Sequence, residues 1–281
     1  MVKLHNAGLE EDTLKGVSYR LKRLAKQCNL DNPDYVCRAI ANMQGSNSYK
    51  ETYVKAYNYY VQINGLTWNK PKYKHERKIP KIPTTEAIEK IIARASRKYS
   101  VIFRLLSETG AMPNELYKTT LRDMDIEKGT IAIQGLKSHS SRIFKLKANT
   151  QAMLNIYLQK YGDKNPLFPK PRNMYNAFLK VRNSLADKLK EPSLKSTRLY
   201  DLRHYYATMT YHKTKDILYV KQQMGHKRIE TTLLYAQLVN FESDEYHSAV
   251  AKNIQEAQKL IEAGFEYVIT FDNLMLFRKR K

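Results

Sequence analysis

Cysteine is nearly absent: Cys28 and Cys37 are the only two, too few for a disulfide framework or a thiolate zinc site, so reduced thiols are expected. No apolar run approaches the roughly 20 residues that span a bilayer. The opening MVKLHNAGLEEDTLKG carries acidic residues where a secretory signal has its apolar core. The expected setting is the cytoplasm, with no membrane partner. Acidic side chains are scarce too, 27 against 49 lysines and arginines, which leaves a formal charge of +22. Such self-repulsion is relieved by a polyanion, with nucleic acid ahead of an anionic membrane surface. Internal repeats and low-complexity tracts are missing.

With 42% hydrophobic residues in 281, the chain can build one large core or two modest ones. Its 21 tyrosines suit contacts to phosphate oxygens, although AT-rich codon usage explains them equally well. Leu14, Val17, Leu21 and Leu24, then Val36, Ile40 and Met43, recur at helical spacing, and a third helix is expected from Ser48 to Ile63. Residues 66–83, LTWNKPKYKHERKIPKIP, hold three prolines and six basic side chains, Lys70, Lys72, Lys74, Arg77, Lys78 and Lys81. They read as an interdomain linker lying on DNA phosphate.

A second helical run opens at Thr84 and stops at Gly110, and Pro113 suits the first turn of a short helix. Alternation from Asp123 to Leu146, with a turn at Lys128-Gly129, predicts a small antiparallel sheet. Helices follow over 148–161, 172–190, 201–212, 214–224 and about 228–237. The tail predicts an amphipathic helix with Val250, Ile254, Ala257 and Ile261 on one face, then two strands, EYVITF and LMLF, and a frayed basic terminus RKRK. The fold class is therefore mainly α with a small antiparallel sheet, in two domains: 1–65, the linker 66–83, and 84–281, with 240–281 as a tail.

The sharpest signal is YDLRHYYAT at 200–208, MGH at 224–226 and TTLLYAQL at 231–238. Arg203, Gly225-His226 and Tyr235 stand in that order, with Tyr235 nine residues after His226. This constellation resembles the tyrosine recombinases, the phage-type integrases and Xer-type resolvases. Upstream, Thr109-Gly110-Ala111-Met112-Pro113-Asn114-Glu115-Leu116 is similar to the family's T-G-x-R-x-x-E-L segment, and Lys137 takes the place of its hairpin lysine. EAGFEYV and LFRKRK look like the archaeal branch, often carried by mobile elements.

The resemblance implies a helical, SAM-like core-binding domain at 1–65 and a catalytic domain at 84–281. It also implies site-specific DNA recombination through a 3′-phosphotyrosyl intermediate. Tyr235 would be the nucleophile, Arg203, His226 and Tyr200 donors to the phosphate, and Lys137 the general acid. Glu115 would hold an arginine in place, and His204 and Gly225 would support the site. Phenol has a pKa near 10 and needs a base or a cationic pocket. A guanidinium fork suits the growing oxyanion charge. The bond energy stays in the phosphotyrosyl link, so neither metal nor nucleotide cofactor is called for. The expected partners are double-stranded DNA and, on synapsed sites, a homotetramer of protomers that are monomers when free, with the tail available for exchange between them.

Two positions depart from the family pattern. Tyr200 replaces a histidine, a mild change because its hydroxyl still donates. Met112 replaces the first catalytic arginine, and losing one such donor costs about 10²- to 10³-fold in rate. Three readings stay open for Met112: another Lys or Arg supplies the charge, the chain has been inactivated, or it is kept for DNA binding. Two rivals remain, a non-catalytic DNA-binding protein on the same fold and a type IB topoisomerase-like enzyme.

Overall fold

In the computed structural model, the described residues are 8–74, 80–136, 139–236, 246–271 and 274–280. The chain divides into two compact units, residues 1–78 and 79–281.

The first unit is built from α1 (Glu11–Ala25), α2 (Pro33–Asn42) and α3 (Asn47–Asn64). Asn32 caps α2 with its side-chain oxygen, Pro33 fills the first turn, and Gly65 ends α3 in the left-handed region. The apolar stripes meet in a core of Leu24, Val36, Ile40, Tyr53, Tyr57 and Val61. Burying Tyr57 requires a partner for its hydroxyl, which donates to the Leu30 carbonyl at 2.7 Å. Part of the expected linker joins this core: Leu66, Trp68 and Tyr73 pack on it, Trp68 edge-on to Tyr57 at 4.8 Å.

In the second unit, α4 (Thr85–Arg94) and α5 (Arg97–Thr109) form from the expected single run, which breaks where Ala95 and Ser96 are extended. The short α6 (Pro113–Lys118) leads to a sheet in the order β1 (Met124–Asp125), β2 (Thr130–Ile133), β3 (Arg142–Lys145), all antiparallel. Then come α7 (Ala148–Tyr161), α8 (Pro171–Leu189), α9 (Asp201–Thr214), α10 (Ile217–Met224) and α11 (Glu230–Ala236). Ile102, Phe103, Leu116, Ile131, Ile133, Phe144, Leu154, Phe178 and Leu202 share one core, with Phe103 edge-on to Phe178. This core fixes α5, α6, β3 and α9 against one another, and these elements carry the site.

The tail differs from its sequence reading. Val250 belongs to a strand, β4 (Tyr246–Ala251), and α12 (Ile254–Glu262) begins only after Asn253, whose side chain accepts the Glu256 N–H. β5 (Glu266–Phe271) and β6 (Leu274–Arg280) complete a sheet ordered β4-β6-β5. The basic terminus is thus strand rather than frayed chain as far as Arg280, because β6 is paired on both edges. Ala251, Ala257 and Phe277 form the small core of this module. Among the described residues no helix is long and apolar enough to cross a membrane.

Candidate active site

Two helix ends hold Arg203. α5 and α10 both stop at a glycine in the left-handed region, Gly110 at φ 61° and Gly225 at φ 67°, which leaves terminal carbonyls without helical partners. Arg203, on the first turn of α9 and 2% exposed, donates to the Gly110 carbonyl and, at 2.6 Å, to the Met224 carbonyl. The start of α9 is fixed by Asp201, which accepts the Arg198 N–H and its guanidinium, both at 2.8 Å. Asp201 is therefore committed to Arg198 and leaves Arg203 to the pocket.

Glu115 is the hub of that pocket and is fully buried. Its Oε1 accepts from Arg142 Nη1 at 3.0 Å and lies 2.9 Å from His139 Nδ1. Its Oε2 accepts from Arg142 Nη2 and from the Met112 N–H, each at 2.8 Å, and sits 3.9 Å from Arg203 Nη1. Burial alone pushes this carboxyl up. The hydrogen bonds from Arg142 and Met112 and the Arg142 charge outweigh that and hold it down at about 2. Both Arg142 and Arg203 keep a buried Nε with no hydrogen-bond partner, a cost of roughly 1–3 kcal/mol each for an unmet donor.

Arg142 and His139 are missed by the sequence reading, which takes Lys137 from this hairpin instead. The signal was strand alternation: on β3, Arg142 and Phe144 point inward while Ile143 is 71% exposed. An arginine on the core-facing side of a strand needs an anion. Hairpin and turn are tied together, since the Ser140 N–H donates to the Gly225 carbonyl at 3.0 Å and Arg142 Nη1 donates to the Ser140 carbonyl at 3.0 Å.

His226 follows Gly225, with its Nδ1 3.0 Å from Thr232 Oγ1 and its ring 5.8 Å from that of His139. Burial, then the Arg203, His139 and Arg142 charges, press its pKa down to about 3, so the ring is neutral at physiological pH. Tyr235, on α11 and 3% exposed, packs with Ala207, Val220 and Met224. Its hydroxyl lies 3.1 Å from His204 Nδ1. Burial pushes this phenol up to about 12, against the opposing pull of Arg203. Tyr200 is exposed and stands edge-on to His204 at 5.1 Å.

The structure thus brings together Arg203, His204, Gly225, His226, Tyr235 and Glu115. Met112 joins them through its backbone, and its side chain lines a neighbouring cleft of about 560 Å³ with Tyr175, Arg198 and Tyr200. Lys137, Arg77 and Lys78 lie outside the described residues. Next along the same hairpin, Lys145 donates to the Lys128 carbonyl and Lys147 faces Glu108 at 3.8 Å. Lys70, Lys72, Lys74 and Lys81 are exposed. Among the described residues, no three His, Cys, Asp or Glu side chains are grouped to hold a metal ion.

This helical fold with its small sheets is that of the tyrosine recombinases, and the chain belongs to the phage integrase family, whose model matches residues 82–241. A probable integrase/recombinase protein of Methanocaldococcus jannaschii is 29% identical over 162 residues, covering 53% of this chain and 49% of the relative. The tyrosine recombinase XerA of Saccharolobus solfataricus is 26% identical over 189 residues, covering 66% of this chain and 62% of the relative. The chain therefore spans between about half and two thirds of the length of these relatives. In fold it is similar to the Tn1549 transposon integrase solved with transposon right-end DNA, with a TM-score of 0.65, 14% identity, and coverage of 92% of this chain and 95% of that one. A lambda integrase dimer bound to a core site gives the same TM-score at 14% identity, covering 86% of this chain and 94% of that one.

Proposed function

We propose that this chain is a site-specific DNA recombinase that breaks and rejoins duplex DNA through a 3′-phosphotyrosyl link at Tyr235. The observation that carries the reading is the shared pocket of Arg203, His226 and Tyr235, assembled from three separate helix ends. In the forward step the Tyr235 oxygen bonds to phosphorus as the bond from phosphorus to the 5′ oxygen breaks. The phenol gives its proton to solvent water, and the departing oxygen gains one from Lys137. Reversal by a different 5′-hydroxyl joins new partners.

Arg203 and His226 donate to the non-bridging oxygens, where fixed donors count most, and Tyr200 supplies a further hydroxyl. A phenol near 12 is a phenolate in only about one molecule in 10⁵ at pH 7. In this pocket the nucleophile is held beside His204. Cleavage requires the Tyr235 oxygen to leave His204 and meet the phosphate held by Arg203.

Residues 1–65 act as the core-binding domain, and Lys70, Lys72, Lys74, Arg77, Lys78 and Lys81 follow the DNA backbone. Each protomer brings one nucleophile and cuts one strand, so exchange takes four protomers on two synapsed sites, assembled from free monomers. The exposed Ile254, Ile261 and Ile269 of the tail support docking on a neighbouring protomer. Met112 brings no charge, which also supports a second reading, a DNA-binding protein that does not cut. Tyr235→Phe separates the two: the recombinase loses its SDS-stable adduct with nicked duplex and keeps its DNA affinity. An adduct that survives the change excludes Tyr235 as nucleophile, and a wild-type chain that binds duplex without ever forming an adduct supports the second reading.

A further inference from the structure

From the charge balance of the buried pocket we infer that Arg142 is a catalytic residue, the second guanidinium delivered to the scissile phosphate beside Arg203. The inference rests on the recombinase reading above and adds a residue to it. Arg142 and Arg203 lie on either side of Glu115, at 2.8 and 3.9 Å from the same Oε2. All three side chains are at most 2% exposed. Two fixed positive charges against one negative leave the cluster with a net positive charge inside the protein, which burial penalises unless an anion completes it. A phosphodiester carries one negative charge and brings the sum to zero.

The donors are available. Each arginine keeps a buried Nε without a partner, and the Glu115 carboxylate that occupies the Arg142 fork has two further neighbours, the Met112 N–H and His139. Position 112, which touches the same carboxylate through its backbone, is a methionine and contributes no cation, so among the described residues Arg142 is the only other guanidinium on Glu115. The close approach is built in: a Cβ at residue 225 would lie 2.8 Å from Arg142 Nη1. Arg142 therefore packs against the turn that carries His226, with Arg203 held by the Met224 carbonyl one residue earlier.

The test compares two substrates. A duplex captured by the wild-type chain from a pool of nicked duplexes with randomised cores is resynthesised with either a phosphodiester or a neutral methylphosphonate at the scissile position. Arg142→Ala is expected to slow adduct formation about 10²- to 10³-fold on the phosphodiester, the usual cost of one oxyanion donor. On the methylphosphonate the loss is expected to be under about tenfold, because its ground state carries no charge for Arg142 to balance and Arg203 remains for the single charge that develops. Arg142→Lys, which keeps the charge and loses the fork, falls between. Equal losses on both substrates reduce Arg142 to a structural partner of Glu115 and overturn the inference, as does an Arg142→Ala variant that cleaves at the wild-type rate. If Arg142→Ala does not fold, the pair Glu115→Gln with Arg142→Gln removes both charges together and must show the same substrate dependence. A wild-type chain that forms no Tyr235-dependent adduct fails the recombinase reading and takes the inference with it, an outcome distinct from normal cleavage without Arg142.

Discussion

Gly225 backs directly onto Arg142: a side chain at 225 would press within 2.8 Å of the guanidinium Nη1 and of the Ser140 carbonyl. The glycine also adopts φ 67°, a conformation that costs other residues roughly 1–2 kcal/mol. Gly225→Ala is therefore expected to destabilise the protein by at least that amount, and to displace Arg142. Denaturant unfolding and adduct formation measured together check both. A variant as stable and as active as the parent shows that the packing between turn and hairpin does not matter.

Glu115→Gln leaves Arg142 and Arg203 without their shared anion in a buried pocket. Removing one partner of such a pair costs about 3–5 kcal/mol. Changing both members, Glu115→Gln with Arg142→Gln, is expected to cost less than the sum of the two single changes. A double-mutant cycle in urea measures the coupling, and strict additivity contradicts the hub described for Glu115.

Acid should destabilise the pocket in two stages. The unfolded chain takes up a proton at His226 near pH 6.5, while the folded chain, with this group lowered to about 3, does not. Stability is then full above pH 6.5 and declines as pH falls toward 3. Glu115, lowered from 4.5 to about 2, adds a further decline between those values. Thermal midpoints recorded against pH should show both stages, and His226→Gln should flatten the upper one. An unchanged profile in that variant shows that another group titrates there.

Much of this was legible before the structure. The order of Arg203, Gly225-His226 and Tyr235 pointed to residues that the fold brings together because short-range spacing survives in sequence, and the glycine stop at Gly110 showed as a helix end. Arg142 stayed hidden because its partner, Glu115, is 27 residues away, and pairing across a hairpin and a helix has no local signature. The tail was misread for a related reason. Val250 fits the helical spacing of Ile254 and Ala257, and only pairing of β4 with β6 decides that it is strand. Likewise the charge of residues 66–74 masked Leu66 and Trp68, which the first core claims.

The exposed lysines Lys70, Lys72, Lys74 and Lys81 give a prediction that does not depend on cleavage. Each phosphate contact contributes about 0.9 to the slope of log affinity against log salt. Changing all four to glutamine should make that slope shallower by about 3 to 4 on any duplex. Filter binding across a salt series reads it directly, and an unchanged slope removes these residues from the DNA surface.

The central claim is chemical, and peptide mapping tests it most directly. Adduct trapped on nicked duplex is digested with protease and nuclease, and the modified peptide is sequenced by mass spectrometry. The account predicts a single nucleotide remnant, joined through its 3′ phosphate to the Tyr235 hydroxyl. A remnant on any other tyrosine, or one joined through a 5′ phosphate, contradicts it.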